Sequence, residues 1–173
     1  AEPGTLLPAI TIQGTGNSIE GQPIFTSPIV LLDDQTEVAF AVQSRINQNI
    51  ALNGGTVKLN DDLALQDEIK FIGQGYVDVN NQQLKLGANY STPWGSDLYF
   101  NDASDVLLDC KITLTGIWTF GGGCLNGGGS ILDLSQGGKI VVDTGSTLNI
   151  VNLFITGLGD GAGQILFKDD NGI

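Results

Sequence analysis

From Gly55 onward, short apolar runs recur along the chain at close intervals. They are Thr56–Leu59, Leu63–Leu65, Ile69–Ile72, Tyr76–Val79, Leu84–Leu86, Leu98–Phe100, Val106–Leu108, Ile112–Leu114, Ile117–Phe120, Ile131–Leu134, Ile140–Val142, Leu148–Ile150, Leu153–Ile155 and Ile165–Phe167. Gly, Asn and Asp fill the gaps, as turn residues do. Many runs alternate, as in Val57-Lys58-Leu59, Leu84-Lys85-Leu86 and Leu148-Asn149-Ile150, so one face is buried and the other wet. A sandwich also has short strands at such spacing. Here the strands are very short, hairpin dipeptides are mostly missing between them, and there is weak internal repetition. The pattern predicts an all-β chain wound as a right-handed parallel β-solenoid, or β-helix.

Helical periodicity is confined to one stretch. In Thr36–Leu52, residues Val38, Ala41, Val42, Ile46 and Ile50 recur at spacings of three and four. That reads either as a short N-terminal capping helix, begun at Asp34 and ended by Gly54-Gly55, or as two strands, Val38–Val42 and Asn49–Leu52. The organisation expected is an extended N-terminal segment (1–28), a cap or first coil (29–54) and the regular coils (55–173).

Copies of one unit appear at Ile69-Lys70-Phe71-Ile72-Gly73, Ile117-Trp118-Thr119-Phe120-Gly121 and Leu153-Phe154-Ile155-Thr156-Gly157. Val106-Leu107-Leu108-Asp109 likewise aligns with Ile140-Val141-Val142-Asp143. Strand triplets persist while corners vary, with Gly87–Asp97 and Gly121–Ser130 as the longest corners. Inward positions such as Leu114 and Ile150 would form a continuous column, so an Asp at either should abolish folding.

An open solenoid end exposes apolar column and unpaired backbone. After Ile165-Leu166-Phe167 and the turn Lys168–Gly172, the sequence reads as if another strand were to follow. Either the chain is a fragment of a longer protein or the open end is covered by another molecule. The apolar stretch Leu6-Leu7-Pro8-Ala9-Ile10-Thr11-Ile12 is a candidate cover, an inter-subunit strand through Leu6, Leu7, Ala9, Ile10 and Ile12, or else pairs with its own solenoid. Head-to-tail stacking of this kind makes a homopolymeric filament.

Composition narrows the partners. Only 15% of residues are charged, Gly numbers 25, and the net charge is -12 from 19 acidic and 7 basic residues. That sign repels nucleic acid and anionic membrane surfaces, and no apolar run approaches the roughly 18 residues of a membrane span. The start Ala1-Glu2-Pro3-Gly4 looks like a mature end left by signal-peptide removal, although an engineered start would look the same. In a secreted chain, the two cysteines are candidates for one disulfide, Cys110 to Cys124. The alternative is two buried thiols. Without His, neither a Cys/His zinc site nor a Ser-His-Asp triad forms.

Few residues suggest chemistry, and no cofactor is expected. The acidic pairs Asp33-Asp34, Asp61-Asp62, Asp67-Glu68 and Asp169-Asp170 resemble the aspartates that β-helix enzymes cleaving acidic polysaccharides use with Ca²⁺. Adjacent strand residues face opposite ways, however, which favours plain turn roles. Gly159-Asp160-Gly161 and Asp169–Gly172 carry oxygen ligands suited to structural calcium but match no calcium-loop pattern. Tyr90, Trp94 and Tyr99 cluster in the irregular segment Asn89–Phe100. They read as a glycan-stacking platform or as a loop packed on the solenoid flank. Asn89-Tyr90-Ser91 is a formal glycosylation acceptor.

The Gly- and Asn-rich texture of Gly55–Ile173 resembles the β-helix regions of bacterial surface proteins: autotransporter passengers and polymorphic outer-membrane proteins. Gly127-Gly128-Gly129-Ser130-Ile131 resembles the Gly-Gly-Ala-Ile repeat of the latter, with Ser for Ala. Phe167-Lys168-Asp169-Asp170-Asn171 resembles their Phe-x-x-Asn repeat with one extra residue. The resemblance implies an adhesive or structural role. The expectation is a non-catalytic, secreted or cell-surface protein that self-assembles or adheres to a glycan or host surface. The alternative is a carbohydrate-active β-helix enzyme or a glycan-binding module.

Overall fold

The computed structural model describes residues 9–20, 24–40, 45–65, 67–87, 90–102, 104–159 and 161–169. These form an all-β parallel solenoid of about seven turns, with no helix. Each turn crosses three walls. The second wall is one uninterrupted sheet of Asn17–Ile19, Glu37–Phe40, Thr56–Leu59, Gln74–Asp78, Asp97–Phe100, Ile117–Phe120, Lys139–Val142 and Gln164–Phe167. The third wall begins with Ile24–Phe25 on Arg45–Ile46. It continues through Leu63–Leu65, Gln83–Leu86, Asp105–Leu108, Gly123–Asn126 and Leu148–Val151. The first wall starts with Ile10–Ile12, Ile29–Leu31, Ile50–Ala51 and Phe71–Ile72. A single bridge, Trp94 to Leu114, carries it on to Ile112–Thr113, Ile131–Asp133 and Phe154–Thr156.

Alternation within each strand builds the core. Along the second wall Val38, Val57, Val77, Phe100, Phe120, Val142 and Phe167 are ladder neighbours in turn. On the third wall Leu63, Leu84, Val106, Leu125 and Ile150 do the same. All but the last member of each column are buried. Midway along the axis the filling turns aromatic. Phe100 stacks on Phe120 with centroids 4.7 Å apart and meets Trp118 edge-on at 5.8 Å.

Corners are set by residues that tolerate left-handed backbone. Asn53 (φ 48°) and Asn80 (φ 52°) share this role with glycine, and their amides donate to Leu31 O and Leu59 O of the preceding coil. Where the first wall turns into the second, coils approach so closely that a Cβ on Gly116 would collide with the Ser96 carbonyl, and one on Gly138 with that of Leu114.

Two expectations need correction. The capping helix is absent: within Thr36–Leu52 the structure has strands Glu37–Phe40, Arg45–Ile46 and Ile50–Ala51. Inward Val38, Phe40, Ile46, Ile50 and Leu52 alternate by two, and the corners between strands reset the phase, which imitates helical spacing. Asp33, not Asp34, is the turn-former there, accepting from Gln35 N at 3.1 Å and Thr36 Oγ1 at 2.8 Å. The repeat was also out of register. Ile117–Phe120 lies on the second wall and its supposed copy Phe154–Thr156 on the first, while Val106 and Ile140 occupy different walls. The true neighbours, such as Val57 and Val77 or Phe100 and Phe120, lie one coil of about 20 residues apart.

Candidate functional site

The outer face of the second wall carries the most distinctive surface. Its outward central column runs Glu37, Thr56, Tyr76, Tyr99, Thr119, Val141 and Leu166. Tyr76 and Tyr99 are ladder partners with ring centroids 5.5 Å apart, tilted by 55°. Tyr76 is 53% exposed, against a core that holds most of the other large aromatics. Beside this pair, along the corner with the first wall, lies an open groove of about 360 Å³. It is lined by Gly54, Gln74, Gly75, Tyr76, Asp97, Leu98, Tyr99, Ile117 and Thr119. Asp97 is fixed there by its Oδ1, which accepts from Ile117 N at 2.8 Å. Tyr99 is steered by its hydroxyl, which donates to Asp143 Oδ2 at 3.1 Å and passes over Gly121, where a Cβ would meet it at 2.8 Å. Asp143 in turn pairs with Lys168 at 3.0 Å, and that bond holds its carboxyl below the usual range. Burial, then the bond to Asp143, pushes the Tyr99 phenol up.

Sequence reasoning placed Tyr99 at a surface site but grouped it with the wrong partners. Tyr90, Trp94 and Tyr99 form no common platform. Trp94 is fully buried in the first wall, edge-to-face with Trp118 at 5.6 Å and with Tyr90 at 5.3 Å. Tyr90 shares its hydroxyl proton between Leu65 O and Ile69 O, each 2.9 Å away, and burial pushes its phenol far above the ordinary range. An indole is too large an apolar surface to leave on a loop when a wall position is open to it. Tyr76 was missed because its partner is one full coil away. Only the correct repeat register would have set the two tyrosines side by side.

A second cluster locks the adjacent corner. The Lys70 ammonium, its side chain 9% exposed, lies 3.4 Å from Glu68 Oε2. It also donates to Thr92 O (2.6 Å), Thr92 Oγ1 (2.5 Å) and Pro93 O (3.2 Å), and sits 5.6 Å from the Tyr90 ring centre. Glu68 accepts from Ser91 and Thr92, and these bonds, Ser91's first, hold its carboxyl at about 2. The Lys70 ammonium thus ties Glu68 to Thr92 and Pro93 at this corner.

Asp61 and Asp62 accept backbone N–H groups from Asp62 and Gln83. No group of three His, Cys, Asp or Glu among the described residues gathers at a point. Asp160 and residues 170–172 of the calcium candidates, Asn89 of the glycosylation motif, and Leu6 and Leu7 lie outside the described residues. Ile10 and Ile12 belong to a strand paired with Ile29–Leu31 of the same chain, and Ala9 leads into it exposed.

The disulfide is not formed: Cys110 and Cys124 are free thiols. Cys124 lies beside Asp105, and Cys110 beyond Leu108 at the far end of that same strand. Three strand steps put Leu108 about 10 Å from Asp105, whereas bridged Cα atoms stay within about 7 Å. Cys110 Sγ instead donates to Leu86 O at 3.8 Å, and burial pushes both thiols up.

Lysines are mostly spoken for. Lys58, Lys85, Lys111 and Lys168 each pair with an aspartate of an adjacent coil, and Lys70 with Glu68. The groove itself therefore offers one carboxylate and no cation. Compared with protein families, with curated proteins and with solved structures, the chain matches none.

Proposed function

We propose that the chain is a non-catalytic structural protein of an extracellular or cell-surface setting, stacking end to end with copies of itself. One observation carries this reading. At the last coil among the described residues the apolar columns are open: Ile150 is 39% and Phe167 72% exposed, while their ladder neighbours Leu125 and Val142 are buried. Val151 and Phe154, ladder partners of Asn126 and of exposed Ile131, add apolar side chains on the outer faces of that coil. The strands Leu148–Val151, Phe154–Thr156 and Gln164–Phe167 are each the last of their sheet among the described residues, with one backbone edge unused.

The occupant that fits is a second copy. Among the described residues, Ile10–Ile12, Asn17–Ile19 and Ile24–Phe25 are the first strands on the other side of the stack, each at the edge of its sheet. In a parallel stack the leading edge of one coil is the hydrogen-bonding complement of the trailing edge of another. Such a contact is heterologous and does not close, so it grows a filament. The surface-protein setting is the one implied by the resemblance to bacterial surface solenoids.

Sedimentation velocity across a concentration series tests this. The wild-type chain is expected to shift to larger species as concentration rises. Phe167→Asp is expected to stay monomeric with unchanged circular dichroism. A wild-type chain that is monomeric at every concentration, or a Phe167→Asp variant that assembles equally well, overturns the proposal.

A further inference from the structure

We infer that the groove beside Tyr76 and Tyr99 is a binding site for a neutral glycan, laid along the solenoid axis. The inference is independent of end-to-end stacking, because the groove lies on a lateral wall and shares no residue with the open end.

Three features point to this ligand chemistry. The first is the pair of rings. A tyrosine face is apolar and carries negative quadrupole density, so it accepts the C–H face of a pyranose. Tyr76 is half exposed beside the groove, and Tyr99 next to it is held in place by Asp143 rather than free to collapse over the groove.

The second is the polar lining. Gln74, Asp97 and Thr119 line the groove with Tyr76 and Tyr99, so donors and acceptors for a sugar's hydroxyls share the groove with the rings. Asp97 spends one oxygen on the Ile117 amide, so its carboxylate is pre-positioned.

The third is charge and shape. The one charged lining residue is acidic, and the chain carries a net charge of -12, so a polyanionic glycan is repelled. The lining comes from four successive coils: Gly54, then Gln74 to Tyr76, then Asp97 to Tyr99, then Ile117 and Thr119. Three coil intervals at about 4.8 Å give a run of about 14 Å. That suits an extended oligosaccharide better than a single sugar. A single carboxylate fits recognition, since glycoside hydrolysis uses a pair.

The experiment is isothermal titration of the intact chain with soluble hexasaccharides of β-1,4-glucose, β-1,3-glucose, β-1,4-mannose and β-1,4-N-acetylglucosamine. The corresponding disaccharides test length, and polygalacturonate serves as the polyanion. At least one neutral hexasaccharide is expected to bind more tightly than its disaccharide, and polygalacturonate not at all. Tyr76→Ala is expected to weaken binding about tenfold, and Asp97→Asn less. Lys85→Ala on the third wall should leave binding unchanged. Tyr76 is half exposed and its loss removes only the ring contact with Tyr99, so its variant keeps the wild-type circular dichroism with a small drop in melting temperature. Sedimentation of Tyr76→Ala is expected to match wild type. The inference is overturned if no neutral hexasaccharide binds at millimolar concentration, or if polygalacturonate binds as well. It is equally overturned if Tyr76→Ala binds normally, or if that variant loses self-association, which would make the groove a contact between copies.

Discussion

Phe100→Ala and Phe167→Ala remove the same side chain from the same ladder column at two depths. Phe100 is fully buried, stacked on Phe120 at 4.7 Å and edge-on to Trp118 at 5.8 Å. A buried Phe→Ala change costs about 3–5 kcal/mol through lost transfer energy and the cavity left behind. The two aromatic contacts, worth about 0.5–1.5 kcal/mol each, put this site at the upper end, near 4–5 kcal/mol. Phe167 is 72% exposed in one chain, so little of the roughly 1.5–3 kcal/mol of full burial is realised. Its loss should cost under about 1 kcal/mol. Urea unfolding followed by fluorescence of the buried Trp94 and Trp118, at protein concentrations too low for assembly, measures both. If Phe100→Ala costs less than about 2 kcal/mol, or no more than Phe167→Ala, the column does not hold the fold in the way described.

Three further outcomes follow from the same geometry. Leu114→Asp places an unpaired charge in a fully buried position and should leave the chain unfolded by circular dichroism. Ile150→Asp should fold, because its position is open at the terminal coil. Asp133, whose carboxyl is held at about 2 by Ser135 and then Lys111, and Glu68, also at about 2, are both depressed in the folded state. Their contribution is present above the ordinary carboxylate range near pH 4 and is lost as pH falls from about 4 towards 2. Asp133→Asn should therefore flatten the acid side of a urea-midpoint profile, and an unchanged slope refutes that assignment. Finally, intact mass should not change on reduction. Two thiols per unfolded chain should react with a disulfide reagent without prior reductant, whereas a gain of about 2 Da on reduction would restore the Cys110–Cys124 bridge.

Much of the fold was legible because a solenoid wall is a local pattern. Thr56–Leu59, Leu63–Leu65 and Ile117–Phe120 have as strands the bounds that their alternation suggests, and most other runs differ by a residue or two at their ends. What alternation could not provide was phase between coils. Gly123–Asn126 was read as corner because only Leu125 of its four residues is a buried apolar anchor. The supposed copies mixed walls because all three walls share one apolar-polar-apolar grammar. The candidate site failed for that reason as well. Tyr76 and Tyr99 are neighbours through Gln74–Asp78 pairing with Asp97–Phe100. The insertion between those strands hides a wall position, Trp94, inside what looks like one long aromatic loop. Ile150 was read as sealed core because its exposure depends on which coil follows it, which its own strand does not encode.

The central functional claim is axial stacking through the open columns, and helical reconstruction of the assembled protein by cryo-electron microscopy tests it most directly. The eight second-wall strands among the described residues, at about 4.8 Å each, predict an axial rise of at least about 38 Å per subunit, with continuous parallel ladders crossing each junction and Phe167 beneath the first coil of the next copy. Filaments in which subunits join side by side, or a preparation of discrete single solenoids at high concentration, would contradict it.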